Sequence, residues 1–217
     1  MRSGCRAEPP PRKLSRETRR QQLIDATVET LALRGYASTT LSEVARTAGL
    51  SHGLVNFHFQ TKDKLPAETL LYIADEYRLN RVSYLAAAGP DPARQLDALL
   101  RADFDPKVCT PVLLSAWLAF WGEAQGRPLY QDRVGANDAC YIARLEDICA
   151  RLLAEGGYDG EVARIARVLR VTTEGVRLDM MTMDSPYDPA EAQATVFACA
   201  QAFFPRHFNA QGLMQPR

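Results

Sequence analysis

Hallmarks of enzymes and metalloproteins are absent from this sequence of 217 residues. It contains only three histidines and five scattered cysteines, and no two cysteines have the CxxC spacing of a metal or redox site. No glycine-rich phosphate-binding loop is present, and no nucleophile and base have a spacing that would bring them together. We therefore expect no metal, no cofactor and no enzymatic activity.

Long hydrophobic runs are missing as well. No apolar segment reaches the roughly 18 residues that a membrane span requires, and no apolar stretch follows the basic N-terminus as in a secretory signal. An odd number of scattered cysteines is typical of reduced, mostly buried thiols. The sequence thus predicts a cytoplasmic protein that has no membrane partner.

The net charge of zero hides an uneven distribution of charge along the chain. Residues 1–65 contain eleven Lys and Arg against six Asp and Glu, whereas residues 66–217 contain fifteen against twenty. A basic front joined to an acidic remainder suits a small nucleic-acid-binding module on a larger body with a different task.

Residues 39–59 have the pattern of two short helices joined by a tight turn. Thr40 and Glu43 have the spacing of a capping box, and apolar residues recur at helical spacing after them. Gly49 suits the left-handed position that ends a helix, and Ser51 is placed to cap the next helix, which is predicted to end near Phe57. This pattern is a helix-turn-helix, whose second helix enters the major groove of DNA.

The remaining sequence predicts further helices, and the fold class is all-α with about nine helices in total. Pairs of Gly, Pro and Asp interrupt the helical pattern, as at Gly126-Arg127-Pro128, and no convincing strand pattern occurs. A helix that starts within 60–65 and runs to about Ala88 is predicted to link the two parts of the molecule. The predicted divisions are a disordered basic arm (1–14), a helix-turn-helix domain (15–62), a helical effector-binding and dimerisation domain (63–206) and a flexible tail (207–217).

Two packing predictions follow from the apolar pattern. The core of the first three helices is predicted from Ile24, Val28, Leu31, Tyr36, Leu41, Val44, Ala45, Leu50, Leu54, Val55 and Phe59. The last two helices are predicted to form a dimer surface through Val162, Ile165, Val168, Leu169, Val176, Leu178, Val196, Phe197, Ala200 and Phe204. The basic arm is either a plain disordered terminus or a contact with the minor groove or phosphates of DNA.

Residues 18–65 resemble the N-terminal domain of the TetR family of one-component transcriptional repressors. The resemblance is carried by Gly35-Tyr36, Thr39-Thr40, Val44-Ala45, Ala48-Gly49-Leu50-Ser51, Gly53, Phe59 and Lys62. The remainder is similar to the BetI branch of choline-responsive repressors of glycine betaine biosynthesis. That similarity is carried by Gln60-Thr61-Lys62, Phe104-Asp105, Trp117-Leu118-Ala119-Phe120-Trp121, Arg127-Pro128 and Gly175-Val176-Arg177-Leu178-Asp179. This chain has Arg177 where that branch has Trp.

The resemblance implies a homodimer that binds double-stranded DNA at a palindromic operator, with both recognition helices in successive major grooves. Carried onto this sequence, it implies four groove-facing residues and four phosphate contacts. The former are Ser51, His52, Gly53 and Asn56, and the latter are Thr40, Ser42, His58 and Lys62. Asn56 is suited to an adenine edge, and Phe57 either contacts DNA or packs in the core. A Tyr that the family has near these positions is missing here.

The resemblance further implies a small-molecule effector, and the aromatic residues of the body are candidates for its pocket. Trp117 and Trp121 lie one helical turn apart on the same face, where they belong either to a pocket wall or to an aromatic core. The candidate ligand-binding residues are Trp117, Phe120, Trp121, Phe104, Tyr77, Tyr84, Tyr141, Glu174 and Arg177. Aromatic faces attract a quaternary ammonium such as choline, whereas Arg177 repels a cation and suits an acid or a zwitterion such as a betaine.

Two further readings of the function stay open at this point. The chain is either a repressor or an activator, because the sequence does not give the sign of regulation. The other alternative is an interaction protein that keeps the fold but no longer binds DNA. It stays open because the Tyr that the family has beside Asn56 and Phe57, with its phenolic contact to phosphate, is missing here.

Overall fold

The computed structural model describes residues 15–59, 64–122, 126–182 and 188–214, except for the side chains of 126–133 and 136. Within these ranges the chain forms nine helices and one very short hairpin, in agreement with the predicted all-α class. The helices are α1 (Arg16–Arg34), α2 (Leu41–Ala48), α3 (His52–Phe59), α4 (Lys64–Ala88), α5 (Pro92–Ala102), α6 (Pro111–Gly122), α7 (Gly126–Gly156), α8 (Val162–Thr182) and α9 (Pro189–Phe203).

Local capping sets the ends of the first helices. The hydroxyl of Ser15 accepts a hydrogen bond from the backbone N–H of Thr18 at 3.1 Å and begins α1. Thr40 caps α2 in the same way, accepting from the N–H of Glu43 at 3.2 Å. Gly49 then ends α2 with φ +64°, in the left-handed region that costs glycine little. The predicted helix-turn-helix is therefore confirmed, and α3 continues two residues beyond the predicted end.

Two predicted boundaries differ from the structure or lie outside it. The predicted start of the linking helix falls partly on residues 60–63, outside the described residues, and α4 is described from Lys64 to Ala88. Gly126-Arg127-Pro128 was expected to interrupt the chain, but α7 already begins at Gly126. A proline in the first turn of a helix is tolerated because its missing N–H has no partner inside the helix at that position.

The predicted core of the first three helices is divided between two clusters. Ile24, Val44, Val55 and Phe59 pack together with Leu65 of α4, as a core of the DNA-binding domain. The C-terminal half of α1 instead packs on α4 and α6. Its Val28 and Leu31, together with Tyr36, join a second cluster with Leu70, Ile73, Ala116 and Phe120. The prediction of one bundle core was wrong for these three residues, because α1 is long enough to serve both domains.

The predicted dimer surface on the last two helices is also corrected. Most of its residues are buried against α5 and α7 in the largest core cluster of the same chain. These are Ile165, Leu169, Val196, Phe197, Ala200 and Phe204, each at most 3% exposed. Apolar spacing identifies a buried helix face, but it does not tell a monomer core from a dimer interface.

The segment after α9 is folded against the body, contrary to the predicted flexible tail. It forms an antiparallel hairpin of β1 (Phe208–Asn209) and β2 (Gly212–Leu213). The Phe208 ring is fully buried, and the backbone N–H of Leu213 donates to the carboxylate of Asp97 on α5 at 2.9 Å. The sequence did not indicate this fold, because a short segment with one large apolar residue has no periodic pattern.

A search of the described helices finds none that is both long and apolar enough to span a membrane.

Candidate DNA-binding surface and effector cavity

The outer face of α3 is exposed. Val55 and Phe59 anchor the helix, both with no exposed surface. The opposite face is exposed and His58 is half-buried at its edge; the exposed residues are Ser51, His52, Gly53, Asn56 and Phe57. The structure therefore brings the residues predicted to face the groove onto one surface, and Phe57, at 63% exposed, does not pack in the core.

The side chains of His52 and Asn56 on this face are hydrogen-bonded to each other. The side-chain nitrogen Nδ2 of Asn56 lies 3.1 Å from Nδ1 of His52, one turn earlier on α3. When the amide donates this bond, the proton of a neutral imidazole is on Nε2, which leaves His52 with a donor and Asn56 with a free carbonyl oxygen. Both groups are of the kind that read base edges in the major groove. Arg16 at the start of α1 lies near the same surface, with Cζ 5.7 Å from the centre of the Phe57 ring.

The predicted phosphate contacts lie at the start of α2 and the end of α3. Thr40 and Ser42 are exposed at the N-terminus of α2, where free N–H groups favour an anion. The hydroxyl oxygen of Thr40 already accepts the hydrogen bond that caps the helix, so the hydroxyl would act as a hydrogen-bond donor to a phosphate. Lys62 lies outside the described residues.

Glu43 neutralises part of the basic charge beside this surface. Its carboxylate lies 2.7 Å from Arg46 and 3.2 Å from Arg34, rather than folding back to the Thr40 N–H as a full capping box would require. The hydrogen bond from Arg46 lowers the pKa of the Glu43 carboxyl below its usual value. Of the two hydrogen bonds of a capping box, the structure shows the one from the Glu43 N–H to the Thr40 hydroxyl. The Glu43 carboxylate stays ionised at neutral pH.

A cavity of about 580 Å³ lies in the body, between α4, α6, α7 and α8. Its size falls within the roughly 300–1,000 Å³ that small-molecule sites occupy. Its wall is largely apolar, and its polar side chains come from α4, α7 and α8. The lining includes Tyr77, Arg81, Val82, Leu99, Leu114, Trp117, Trp121, Cys140, Tyr141, Arg170, Val171, Glu174, Arg177 and Leu178.

The structure brings six of the nine candidate ligand-binding residues to this cavity. They are Tyr77, Trp117, Trp121, Tyr141, Glu174 and Arg177. The other three lie elsewhere: Phe104 is buried in the large core cluster, and Phe120 packs towards the DNA-binding domain. Tyr84 donates a hydrogen bond to the carboxylate of Asp105 at 2.7 Å. Ala116 and Phe120 lie one turn apart on the face of α6 that packs against α1, whereas Leu114, Leu118 and Trp121 lie on the face that lines the cavity. One helix therefore supplies both a cavity wall and a domain contact.

Guanidinium groups already cover two of the aromatic rings in this cavity. Cζ of Arg177 lies 4.6 Å from the centre of the Tyr77 ring, and Cζ of Arg81 lies 3.9 Å from that of Tyr141. Arg81 also donates a 2.8 Å hydrogen bond to Asp103, which is only 1% exposed. Arg81, Arg170 and Asp103 are not among the predicted residues, because charged residues on long helices give no periodic signal that separates a cavity from a solvated face.

Burial keeps the phenols of this site neutral. It raises the pKa of Tyr77 to about 12, against an opposing effect of the Arg177 charge. Burial also raises the pKa of Tyr141. The Tyr77 hydroxyl therefore acts as donor and acceptor together: it donates to the carbonyl oxygen of Val108 at 2.8 Å and accepts from Nη2 of Arg177.

Comparison with known proteins assigns this combination of domains. Residues 23–69 match the sequence family of bacterial regulatory proteins of the tetR family, and residues 92–205 match the family described as BetI-type transcriptional repressor, C-terminal. The chain belongs to the TetR family of transcriptional regulators. The family assignment confirms the predicted resemblance, and the family and the relatives named below are transcriptional regulators and not enzymes.

Two relatives and one solved structure illustrate the extent of the similarity. The HTH-type transcriptional regulator BetI of Paraburkholderia xenovorans LB400 is 38% identical over 113 residues, which are 52% of this chain and 58% of that protein. The regulator of the same name from Paraburkholderia phymatum is 34% identical over 149 residues, 65% of this chain and 76% of that protein. A transcriptional regulator from Pseudomonas aeruginosa PAO1 superposes with a TM-score of 0.73 at 26% identity, covering 89% of this chain and 93% of that one. The match to the first relative spans less than two thirds of that protein's length, whereas the fold is shared over 93% of the Pseudomonas aeruginosa chain.

Proposed function

We propose that this TetR-family protein is a transcriptional repressor that binds a palindromic operator as a homodimer and is released by a small molecule in the cavity. One observation carries the proposal: α6 forms a wall of the cavity with one face and contacts the DNA-binding domain with another. A ligand in the cavity therefore touches the same rigid element that positions α1.

DNA binding is proposed to rest on the exposed face of α3. His52 and Asn56 read base edges, while Gly53 lets the backbone approach the groove. Thr40 and Ser42, with the free N–H groups of α2, bind phosphates and set the position of α3. His58 and Lys62 are proposed as further phosphate contacts.

The effector response is proposed to be a population shift between two positions of the DNA-binding domain. On the cavity side of α6 the Trp117 ring lies 5.6 Å from the ring of Tyr77 on α4. One turn further along α6, Phe120 contacts Tyr36, which follows α1. A ligand that favours one arrangement of α4 and α6 also favours one position of α1, and hence one separation of the two recognition helices in the dimer.

The dimer is proposed to form through the outer faces of α8 and α9. These faces are the ones left exposed once the apolar side of each helix is buried in its own core. They include the small residues Ala198 and Ala202 on α9. Small side chains allow two helices to approach closely, and the dimer axis then places the two copies of α3 on one face of the DNA.

The test is a fluorescence anisotropy titration of the intergenic DNA that flanks the protein's own gene, at low and moderate salt, with and without choline. Specific binding that weakens steeply with salt supports the DNA-binding regulator. Release by choline supports the ligand of the BetI branch, and binding indifferent to choline leaves the regulator with another effector. No binding to any duplex at low salt contradicts the proposal and favours a protein that has kept the fold without DNA binding. A promoter fusion to a reporter gene gives the sign: higher expression in the deletion strain indicates a repressor, and lower expression an activator.

A further inference from the structure

Arg177 is a buried cation without a carboxylate partner in the described part of the chain. Its residue surface is 9% exposed, and its side chain lines the cavity. Its one hydrogen bond to a described residue goes from Nη2 to the neutral hydroxyl of Tyr77, and Nε is buried without a hydrogen-bond partner. An unpaired buried charge is costly, because the interior replaces only part of the solvation that water supplies.

The neighbouring carboxylates are engaged by other arginines. Both oxygens of Glu174, one turn before Arg177 on α8, accept from Nη1 of Arg170 at 2.8 and 3.0 Å. Asp103 accepts from Arg81 at 2.8 Å. The cavity lining as described contains five arginines, and four of them pair with carboxylates: Arg78 with Asp75, Arg81 with Asp103, Arg144 with Asp147 and Arg170 with Glu174. Of these five, Arg177 is the one without a carboxylate partner among the described residues, so its positive charge is the one left for an anionic group of a ligand.

The same geometry disfavours a cationic ligand such as choline. A quaternary ammonium binds by lying over the faces of aromatic rings. Here the guanidinium groups of Arg177 and Arg81 lie over the Tyr77 and Tyr141 rings, at 4.6 and 3.9 Å. A ligand cation placed near these rings would be repelled by both arginines, and Glu174 is already neutralised by Arg170.

We propose that the effector of this protein carries a carboxylate that pairs with Arg177, and an apolar portion that lies against Trp117 and Trp121. This inference rests on the proposed function and names the chemical class of its ligand. A guanidinium and a carboxylate form two parallel hydrogen bonds in a plane, which gives Arg177 the partner that the protein does not supply. The apolar wall, with Leu99, Leu114, Val171 and Leu178, takes the rest of the molecule.

The proposal is tested with ligands that share a phenylbutyl group and differ in the charge of the terminal polar group. The probes are 4-phenylbutyrate, 4-phenylbutanol and 4-phenylbutylamine, with glycine betaine and choline as a second pair. Binding is followed on the full-length protein by quenching of tryptophan fluorescence. The chain has two tryptophans, Trp117 and Trp121, and both line the cavity, so the signal reports on this site. We expect phenylbutyrate to bind at least tenfold more tightly than the alcohol and the amine, and betaine more tightly than choline.

Variants on α8 separate the role of the charge from a general effect on structure. Arg177→Gln is expected to abolish the preference for the acid over the alcohol, and Arg177→Lys to retain part of it. Arg164→Gln is the matched control, because Arg164 is exposed on the same helix and does not line this cavity. Thermal unfolding shows whether each variant is folded. If Arg177→Gln does not fold, the head-group series on the unchanged protein together with Arg177→Lys decides the question.

Three results would overturn the carboxylate proposal. The first is equal or tighter binding of the alcohol, the amine or choline. The second is a preference for the acid that survives Arg177→Gln. The third is that none of the five probes quenches the tryptophan fluorescence while specific operator binding is intact. An absence of DNA binding at low salt, by contrast, contradicts the proposed function. The tryptophan quenching titrations still measure which terminal group the cavity prefers, independently of that result.

Discussion

The rings of Tyr36 and Phe120 meet edge to face, with their centres 5.5 Å apart and their planes at 62°. Tyr36 follows α1 of the DNA-binding domain, and Phe120 lies on α6 with no exposed surface. Aromatic pairs in this arrangement contribute about 0.5–1.5 kcal/mol beyond the area they bury. The contact joins the domain that binds DNA to the helix that forms a wall of the cavity.

Replacing Phe120 is expected to weaken both the fold and the coupling between the domains. Phe120→Ala should lower the free energy of unfolding by about 3–5 kcal/mol, measured in urea, because the ring leaves a cavity in the core. Phe120→Leu should cost less than about 1.5 kcal/mol, since it conserves most of the volume.

The folded variant Phe120→Leu then tests coupling. Operator DNA should change the emission of Trp117 and Trp121 in the unchanged protein, and much less in the variant, because coupling between two sites is reciprocal. Leu33→Ala on α1 is the control, since Leu33 is 82% exposed. An unaltered tryptophan response in Phe120→Leu would exclude this contact as the link.

Asn56→Ala and Ser42→Ala are expected to affect DNA binding in different ways. The first removes a base-reading amide and should cost about 1–3 kcal/mol of discrimination between the operator and a changed site, with the salt dependence unaltered. The second removes a phosphate contact and should weaken binding to all duplexes about equally. Anisotropy titrations on paired sequences at several salt concentrations measure both. Equal losses on operator and changed site in Asn56→Ala would contradict its assigned role.

Tyr77→Phe is expected to reduce stability more at neutral pH than at high pH. At neutral pH the variant leaves Arg177 and the Val108 carbonyl without the hydroxyl, at a cost of about 1–3 kcal/mol. The folded pKa of Tyr77 is raised from 10.0 to about 12, so the neutral phenol stabilises the fold fully below pH 10. This contribution falls as the pH rises towards 12, by up to about 3 kcal/mol.

The measurement is urea unfolding of both proteins between pH 8 and pH 11. The difference between their free energies of unfolding should narrow as the pH passes 10. A difference that stays constant or widens would show that the buried hydroxyl does not have the raised pKa.

Cys140 is expected to be the reactive thiol of the described chain. It is exposed on α7 and lines the cavity, whereas Cys109 and Cys149 are buried. Burial, with a smaller effect of the Glu146 charge, raises the pKa of Cys149 to about 12, so almost none of it is thiolate at pH 8. Cys199 is half-buried, with Sγ 3.6 Å from the hydroxyl of Thr172.

A thiol-specific chromogenic reagent on a Cys5→Ser background tests this expectation, because Cys5 lies outside the described residues. One thiol per chain should react rapidly, and Cys140→Ser should remove that phase. Rapid reaction of a second thiol in the folded protein would contradict the burial described for Cys109, Cys149 or Cys199.

The dimer proposal has its own test on α9. Ala198→Arg places a long cation on the exposed face and should shift the protein from dimer to monomer in sedimentation velocity. Operator affinity should fall with it, because each half-site alone holds one recognition helix. Thr195→Ala, one turn away on the same face, should leave the dimer intact. A dimer that survives Ala198→Arg would place the interface elsewhere.

The local features of this protein were readable from its sequence. Thr40 caps α2 with its own hydroxyl, and Gly49 ends α2 with a positive φ, both as predicted. Such signals act within one turn of helix, so they identify the helix-turn-helix before any packing is known. The outward position of His52 and Asn56 follows in the same way from the spacing of Val55 and Phe59.

Packing between distant helices decided the rest. The aromatic run on α6 did not reveal that Trp117 faces a cavity while Phe120 faces Tyr36, because that depends on which helices lie on either side. The apolar faces of α8 and α9 matched a dimer surface as well as a core, and the sequence of the tail gave no sign that Phe208 is buried.

The sequence singled out Arg177, but it did not show that no described carboxylate pairs with its guanidinium group. Pairing of charges is decided by side chains from separate helices, and only the folded chain shows that Glu174 is held by Arg170. Local hydrogen bonds set the elements, and long-range burial and charge pairing set the site.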